Sequence, residues 1–335
     1  MLTVQPPLQG DDALLRLAQV RFTETSLGGE LYPGSPDHLV ALRAFRPQGM
    51  VCTAHLPRNI NLLEVAGQAL VSEYARCAAG DLYGILVHDH KGFQRDPDAT
   101  LEAFREADRR LSAIPGAPLL FVEFAAGLAP EFFASLFERT VSLRYVCAAV
   151  DVSHVGIHLC QKWYQTDYPG EDVCALRPTS AKLPERIGAV QAVVAAVPPA
   201  VVDLVRRLAR LHKPLHLHLH DGHPLSTLSE FGVSDHLSFL QQIRLPFSYR
   251  GKHTLDGMFG VSGLRSVLQA ARAVLAPEKL SCMLEVHPQE GRAPLREHAY
   301  LFTHWQDTYY AERMNYWLDR LLENAILVRD AWGHC

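Results

Sequence analysis

The sequence lacks several features that would assign it to a specialised class of protein. Its 335 residues contain no internal repeat and no low-complexity segment, which argues against a solenoid or a disordered chain. The opening stretch MLTVQPPLQGDD has no basic region followed by an apolar core, so it predicts no signal peptide. The longest apolar stretch, AVQAVVAAVPPAVV, contains two prolines and is too short to span a bilayer. We therefore expect a cytoplasmic protein without a membrane partner.

Cysteine spacing and charge exclude two further classes. The seven cysteines show no CxxC pair, and we expect reduced thiols rather than a disulfide framework. Lys and Arg number 32 against 36 Asp and Glu, giving a formal net charge of -4. Such a balance provides no overall basic surface for nucleic acid, so we expect no nucleic-acid partner.

What the sequence does contain is a repeated placement of metal-ligating residue types. A His, Glu or Asp stands near the carboxyl end of six short apolar runs, at His55, His88, Glu123, Asp151, His218 and Glu285. Polar side chains are costly inside apolar strands unless a metal or a partner satisfies them. If the runs are parallel strands of one barrel, all six side chains meet at one mouth, where such barrels carry their chemistry.

The order of the runs predicts an α/β fold, a single (β/α)8 TIM barrel with long loops on its top face. We place strands at 1–5, 20–25, 50–55, 83–88, 118–123, 145–151, 214–221 and 280–286. Helices are predicted at 37–44, 62–79, 98–113, 185–211, 261–275 and 310–328, the fourth of them split in two by Pro198 and Pro199. One domain is expected over 1–335, with 293–335 a C-terminal helical segment packing on the barrel.

The kinds of side chain at these positions indicate which cations they would bind. Glu123, Asp151, His218 and Glu285 form a set of oxygens with one imidazole, which suits Mn, Mg, Co or Zn. His55 and His88 add two imidazoles and indicate a second, more zinc-like ion. One to three divalent ions per chain are expected.

Seven motifs resemble those of one superfamily. They are HLPRNINL (55–62), VHDHKG (87–92), VEFAAG (122–127), DVSH (151–154), HLHD (218–221), KHTLDGMFG (252–260) and LEV (284–286). In this order they resemble the xylose isomerase-like TIM-barrel superfamily, which includes sugar-phosphate isomerases and epimerases and the endonuclease IV family (AP endonuclease family 2). The resemblance extends over 20–290.

The resemblance implies roles for individual residues. Glu123, Asp151, His218 and Glu285 would hold a central metal, and His55 with His88 an adjacent one. His154 and His253 would hold a third metal or contact the substrate. The endonuclease branch has an Asp just before its counterpart of His253, where this chain has the residues YRGK (249–252). That departure weakens the hydrolase interpretation more than the isomerase one.

Further residues are candidates for substrate binding: Glu24, Arg58, His154, Trp163 and His220. Each has a plainer alternative. Glu24 at the end of the predicted second strand would instead close the barrel, Arg58 would be a solvated surface residue, and Trp163 would be buried by its own loop. His216 is expected to lie deeper in the barrel, in the core or behind the ligands.

Three functions remain open. The first is a metal-dependent isomerase or epimerase of a small sugar or sugar phosphate, in which Glu123 and Glu285 move the proton. The second is a metal-dependent phosphodiester hydrolase of the endonuclease IV type. The third is a barrel that has lost catalysis and binds a metabolite. A homodimer is left open.

Overall fold

The computed structural model describes residues 2–8, 12–125, 127–226, 236–286 and 311–333. Strands and helices alternate along most of the chain, as predicted. The strands are β1 (Thr3–Gln5), β2 (Pro7–Leu8), β3 (Gly29–Leu31), β4 (Cys52–His55), β5 (Gly84–His88), β6 (Leu119–Phe124), β7 (Val146–Asp151), β8 (Leu215–Leu219), β9 (Gln242–Tyr249), β10 (Lys252–Asp256) and β11 (Leu280–Leu284).

Ten α-helices are described. They are α1 (Asp12–Glu24), α2 (Pro36–Leu42), α3 (Val65–Ala78), α4 (Lys91–Arg95), α5 (Pro97–Ser112), α6 (Pro130–Arg139), α7 (Val152–Asp167), α8 (Leu183–Ala209), α9 (Gly260–Arg272) and α10 (Ala311–Gly333). Local start signals account for several of them. In α5, for example, the Asp96 side chain accepts a hydrogen bond from the Ala99 N–H, and Pro97 occupies the first helical position.

The sheet confirms the predicted fold class. Nine strands are hydrogen-bonded in the order β1-β11-β8-β7-β6-β5-β4-β3-β2. β1 pairs in parallel with β11, while β2 pairs in parallel with β3. Only Pro6 separates β1 from β2, so one run of chain forms both ends of the sheet and nearly closes it. The result is an α/β barrel with eight strand positions.

The chain divides into two compact units. The first contains 1–151, 206–218 and 274–284, and therefore nearly all of the barrel sheet. The second contains 152–205, 219–273 and 285–335. Within it, α10 packs on α9, and the Arg272 guanidinium lies over the Trp332 ring, 5.4 Å from its centroid. Residues 311–333 form a helix, while 293–310 lie outside the described residues. The packing of the predicted C-terminal segment on the barrel and a single domain over the whole chain stay predictions.

The predicted second strand at 20–25 is wrong. Those residues belong to α1, whose buried side chains at Leu14, Ala18 and Phe22 repeat at helical spacing. The second strand is β3, which has only three residues. Glu24 is consequently the exposed last residue of a helix rather than a strand end. Because helices in this fold run back toward the amino ends of the strands, the reason for proposing Glu24 as a substrate contact is lost.

The predicted split of the long helix is also wrong. α8 continues through Pro198 and Pro199 over 27 residues. Valines on both sides of the prolines, Val190, Val197 and Val201, are buried, and their packing compensates for the missing N–H donors. The helix is long and apolar enough to cross a membrane by length and composition, contrary to our expectation. Core helices of soluble proteins meet the same criterion, so this is weak evidence for a span.

The thiol prediction is confirmed for the described cysteines. No disulfide joins the described cysteines Cys52, Cys77, Cys147, Cys160, Cys174 and Cys282, and five of these six are buried. Cys147 lies in a core cluster with Leu86, Phe121 and Ala149. Cysteine here fills space as a small apolar side chain.

The buried end of the Lys213 side chain joins three backbone carbonyl groups of the first unit. Its ammonium group donates to the carbonyl oxygens of Thr140, Leu143 and Val146, at 3.4, 2.7 and 2.5 Å. Lys213→Met should remove these three hydrogen bonds, although Thr140 keeps the Leu143 N–H as a donor to its carbonyl oxygen. We expect this change to lower the free energy of unfolding by about 1–3 kcal/mol, measured by urea denaturation. The matched control is Lys182→Met, because the Lys182 ammonium is exposed and 3.9 Å from a Glu171 oxygen. The free energy of unfolding of Lys182→Met should stay within about 0.5 kcal/mol of the wild-type value. Equal decreases of this free energy in both variants would contradict the prediction.

Candidate metal centre

Five of the predicted ligands end neighbouring strands of the barrel in the first unit. His55 and His88 are the last residues of β4 and β5, and Asp151 is the last residue of β7. In the parallel register, His88 is the partner of Glu123 and Asp151 is the partner of His218. The apolar residues before them build the strands, and the pairing brings their polar ends to the same edge of the sheet.

The first group consists of His55, His88 and Glu123. The Nε2 atom of His55 is 3.0 Å from Glu123 Oε2 and 3.1 Å from His88 Nε2. His88 Nε2 is 3.6 Å from the same Glu123 oxygen. The Nδ1 atom of His55 lies 3.1 Å from the Leu56 carbonyl oxygen, so the backbone orients this ring.

The second group shares Glu123 with the first and adds Asp151 and His218. The ligand atoms of these three residues all lie within 4.8 Å of one another. His218 Nδ1 is 3.3 Å from Oε1 of Glu123, the oxygen that does not face His55. Asp151 and His218 are fully buried, and Glu123 is 1% exposed. The two oxygens of one carboxylate therefore face two different sets of ligand atoms.

The spacing in both groups fits a divalent cation. Two ligand atoms that each lie about 2.0–2.1 Å from a tetrahedral zinc ion are about 3.3–3.4 Å apart. The pairs around Glu123 lie at 3.0, 3.3 and 3.6 Å, on both sides of that value. Three imidazoles and two carboxylates in a largely buried cluster are ligands for zinc, manganese or cobalt, so the residues fit the ion that the sequence implies.

Charge in the cluster also favours a cation. Burial by itself would raise the pKa of the Glu123 carboxyl, but the imidazoles of His218 and His88 and the hydrogen bond to His55 hold that pKa well below its usual range. Burial by itself would lower the pKa of His55, yet the hydrogen bond and the charge of Glu123 raise it. Glu123 is thus anionic, the form that binds a metal.

The second unit holds a separate group of three imidazoles. His154, His220 and His236 offer nitrogen atoms within 4.8 Å of one another. The rings of His220 and His236 are stacked, with centroids 4.1 Å apart and an interplanar angle of 19°. His154 meets both rings edge-on, at 5.7 and 5.5 Å. A set of three neutral imidazoles is typical of zinc.

Glu285 belongs to the same unit and lies beside this group. It directly follows β11, and its backbone N–H donates to the Leu219 carbonyl oxygen at the end of β8, at 3.3 Å. Its carboxylate is 3.7 Å from His236 Nδ1. The roles of Glu285 as a metal ligand and as a catalytic group stay predictions.

Several predicted residues lie elsewhere. His253 is exposed on β10, which pairs only with β9 among the described strands, and it belongs to none of the ligand groups described above. Its role as a ligand or substrate contact stays a prediction. His236 stands with His154 instead. Arg58 is exposed, consistent with its plainer alternative. Trp163 is half-buried on α7, because the stretch after Asp151 is a helix rather than the loop we expected.

Sequence reasoning missed Glu30, which forms a third group with His216 and His218. Glu30 Oε2 lies 3.4 Å from His216 Nε2, and all three residues are fully buried. His216 Nδ1 is 2.7 Å from the Ser281 hydroxyl, which agrees with its expected place behind the ligands. Burial would raise the pKa of Glu30, but the charge of His218 and the hydrogen bonds of both imidazoles lower it far below its usual range. The available signal was a lone Glu in the short stretch GGEL (28–31), which has no apolar run.

Comparison with known proteins gives only distant similarity to solved structures. No protein-family model matches the chain, and no curated protein matches it. One similar solved structure is the carboxyl transferase domain from Rhizobium etli pyruvate carboxylase with 3-bromopyruvate, at 11% identity and a TM-score of 0.37 over 99% of this chain and 47% of that chain. Another is a variant Rhizobium etli pyruvate carboxylase with acetyl coenzyme A, at 11% identity and a TM-score of 0.36, over 99% and 27%. The chain spans less than half the length of these proteins, and similarity at this level says nothing about its chemistry.

Proposed function

We propose that this chain is a divalent-metal-dependent hydrolase of a small phosphoester. The proposal depends on one observation: the two carboxylate oxygens of Glu123 face two different sets of ligand residues. Its Oε2 atom is 3.0 Å from His55 Nε2, and its Oε1 atom is 3.3 Å from His218 Nδ1. A carboxylate whose two oxygens face two sets of ligands is suited to bridge two cations, and pairs of cations about 3.5–4 Å apart are used by phosphatases and nucleases.

The proposed ligands in the first unit form two sets, one for each cation. His55 and His88 would hold one cation together with Glu123, and Asp151 and His218 would hold the other with the same carboxylate. Bound cations at these positions would polarise the phosphoryl group and increase the acidity of a water molecule. The resemblance to the endonuclease IV family supports the two additional histidines, which the plain isomerase mechanism does not need.

The three imidazoles of the second unit complete the proposal as an independent zinc site. They replace the pair of His154 and His253 that the resemblance implied. The substrate is proposed to be a small molecule rather than nucleic acid, because the net charge of -4 provides no long-range attraction for a polyanion.

A second candidate function rests on the composition of one ligand set. Glu123, Asp151 and His218 together offer two carboxylates and one imidazole, a combination that also suits a single manganese or magnesium ion. With one ion, the sequence expectation of a sugar or sugar-phosphate isomerase or epimerase applies, and Glu123 and Glu285 would transfer the proton. The number of ions bound beside Glu123 distinguishes the two functions.

The test begins with protein stripped by a chelator and reloaded with zinc or manganese. Elemental analysis should give three ions per chain, two beside Glu123 and one at the three imidazoles of the second unit, and the loaded protein should hydrolyse a small chromogenic phosphodiester. The control is His88→Gln, which should remove one of the two ions near Glu123 and leave the other. Only one ion beside Glu123, which means at most two ions per chain in all, together with interconversion of aldose and ketose sugars, would replace the hydrolase with the isomerase. Tight binding of a metabolite without turnover of either substrate would reject both.

A further inference from the structure

A buried carboxylate on β3 lies behind the proposed ligands. Glu30 is fully buried, and its Oε1 atom is 3.4 Å from Nε2 of His218. On the opposite edge of the same imidazole, Nδ1 is 3.3 Å from Oε1 of Glu123. The His218 ring thus has a different carboxylate facing each of its nitrogens.

Only one nitrogen of a neutral imidazole carries hydrogen, so the two carboxylates compete for it. If the Nε2–H points at Glu30, the lone pair on Nδ1 faces Glu123 and Asp151 and is free to bind a cation. If the hydrogen is on Nδ1, it points at Glu123 and His218 cannot serve that set. We infer that Glu30 is a positioning residue which holds the hydrogen of His218 on Nε2 and so presents Nδ1 to the proposed metal centre. The inference rests on the proposed function in that His218 is taken as a ligand of that centre.

The surroundings of Glu30 suit this role. The Thr53 hydroxyl donates to its Oε2 atom at 2.7 Å, and the Tyr32 hydroxyl donates to its Oε1 atom at 3.2 Å. Both hydroxyls fix the carboxylate in place. The Tyr32 ring also stacks on His55, with centroids 5.2 Å apart and planes inclined by 10°. Glu30 is therefore connected to one ligand of each set that shares Glu123.

A different use of the same atoms makes the opposite prediction. A cation bound directly by Glu30, His216 and His218 would take the lone pair of His218 Nε2 and require hydrogen on Nδ1. That arrangement would remove His218 from the set with Glu123 and Asp151. Because His218 cannot satisfy both arrangements as a neutral ring, its tautomer decides between them.

The tautomer can be measured without any metal, at a pH high enough that the His218 ring carries a single hydrogen. Protein labelled with ¹⁵N-histidine and stripped of metal gives two-bond nitrogen–proton correlations for each imidazole, and His218 is assigned by the signals lost in His218→Gln. We expect the Nε2–H form in the wild type and a shift toward the Nδ1–H form in Glu30→Ala. Zinc affinity, measured by competition with a chelator, should weaken about 10- to 100-fold in Glu30→Ala. Glu30→Gln should be intermediate, because its amide oxygen still accepts from Nε2–H.

Tyr32→Phe is the matched control. It removes a hydroxyl from the same carboxylate and leaves the contact with His218, so the tautomer should be unchanged and zinc affinity should stay within about threefold. An Nδ1–H tautomer in the wild type would overturn the inference, as would unchanged tautomer and affinity in both Glu30 variants. The nearly isosteric Glu30→Gln keeps the test decisive if Glu30→Ala fails to fold. If the wild type binds no zinc, the proposed function fails, while the tautomer still decides the role of Glu30.

Discussion

Glu123→Gln is expected to remove cations from both ligand sets of the first unit and to reduce hydrolysis by at least about 1,000-fold, which corresponds to about 4 kcal/mol. The amide has one oxygen where the carboxylate has two, and its NH₂ group cannot bind a cation. Whichever way the amide is turned, either the set containing His55 or the set containing His218 loses its shared ligand. Loss of the negative charge weakens the remaining set as well.

Elemental analysis and single-substrate kinetics measure this result. Asp151→Asn is the informative comparison, because it alters one set and should leave the ion beside His55 and His88 in place. Glu24→Gln is the neutral control, since Glu24 is exposed at the end of α1. Normal metal content in Glu123→Gln would show that this carboxylate is not shared. A fall in activity with unchanged metal content would instead assign Glu123 to proton transfer, as the isomerase requires.

Most barrel strands could be predicted because the signal for each lies within a few consecutive residues. A short apolar run followed by a ligand-type residue identified β4, β5 and β7, and parallel pairing then brought His55, His88 and Asp151 to one edge. β3 could not be found in this way. It has three residues, its middle residue is Glu30, and the nearby stretch at 20–25 matched the alternation of a strand more closely than β3 did.

The imidazole group of the second unit was beyond sequence reasoning for another reason. His236 joins His154 and His220 through contacts between residues far apart in the chain, and no spacing rule links them. His253 fitted a motif but lies on an exposed hairpin strand. The continuous helix α8 is a similar case, because burial of valines beside Pro198 and Pro199 outweighed the local preference to break.

The segment that follows His55 is held against α3 by a close contact that a single methyl group would break. A Cβ atom on Gly67 would lie 2.0 Å from the Asn61 carbonyl oxygen and 2.8 Å from its carbon. That carbonyl cannot move easily, because it accepts the Glu64 N–H at 3.1 Å and the Asn61 side chain bonds to Leu63 N–H and to the Glu64 carboxylate. Gly67→Ala should therefore lower the free energy of unfolding by about 2–4 kcal/mol, although alanine is the better helix former.

Gly188→Ala is the matched control for this prediction. Gly188 is also in a helix, α8, but a Cβ atom there would meet nothing within 4 Å. Helix propensity then acts alone, and the change should raise the free energy of unfolding by about 0.5–1 kcal/mol. Urea denaturation of the metal-free proteins measures both effects under the same conditions. A decrease in the free energy of unfolding for Gly67→Ala with an increase for Gly188→Ala would show that contact with the Asn61 backbone outweighs helix propensity. An increase for Gly67→Ala would instead mean that the segment after His55 moves easily and cannot hold that ligand rigidly.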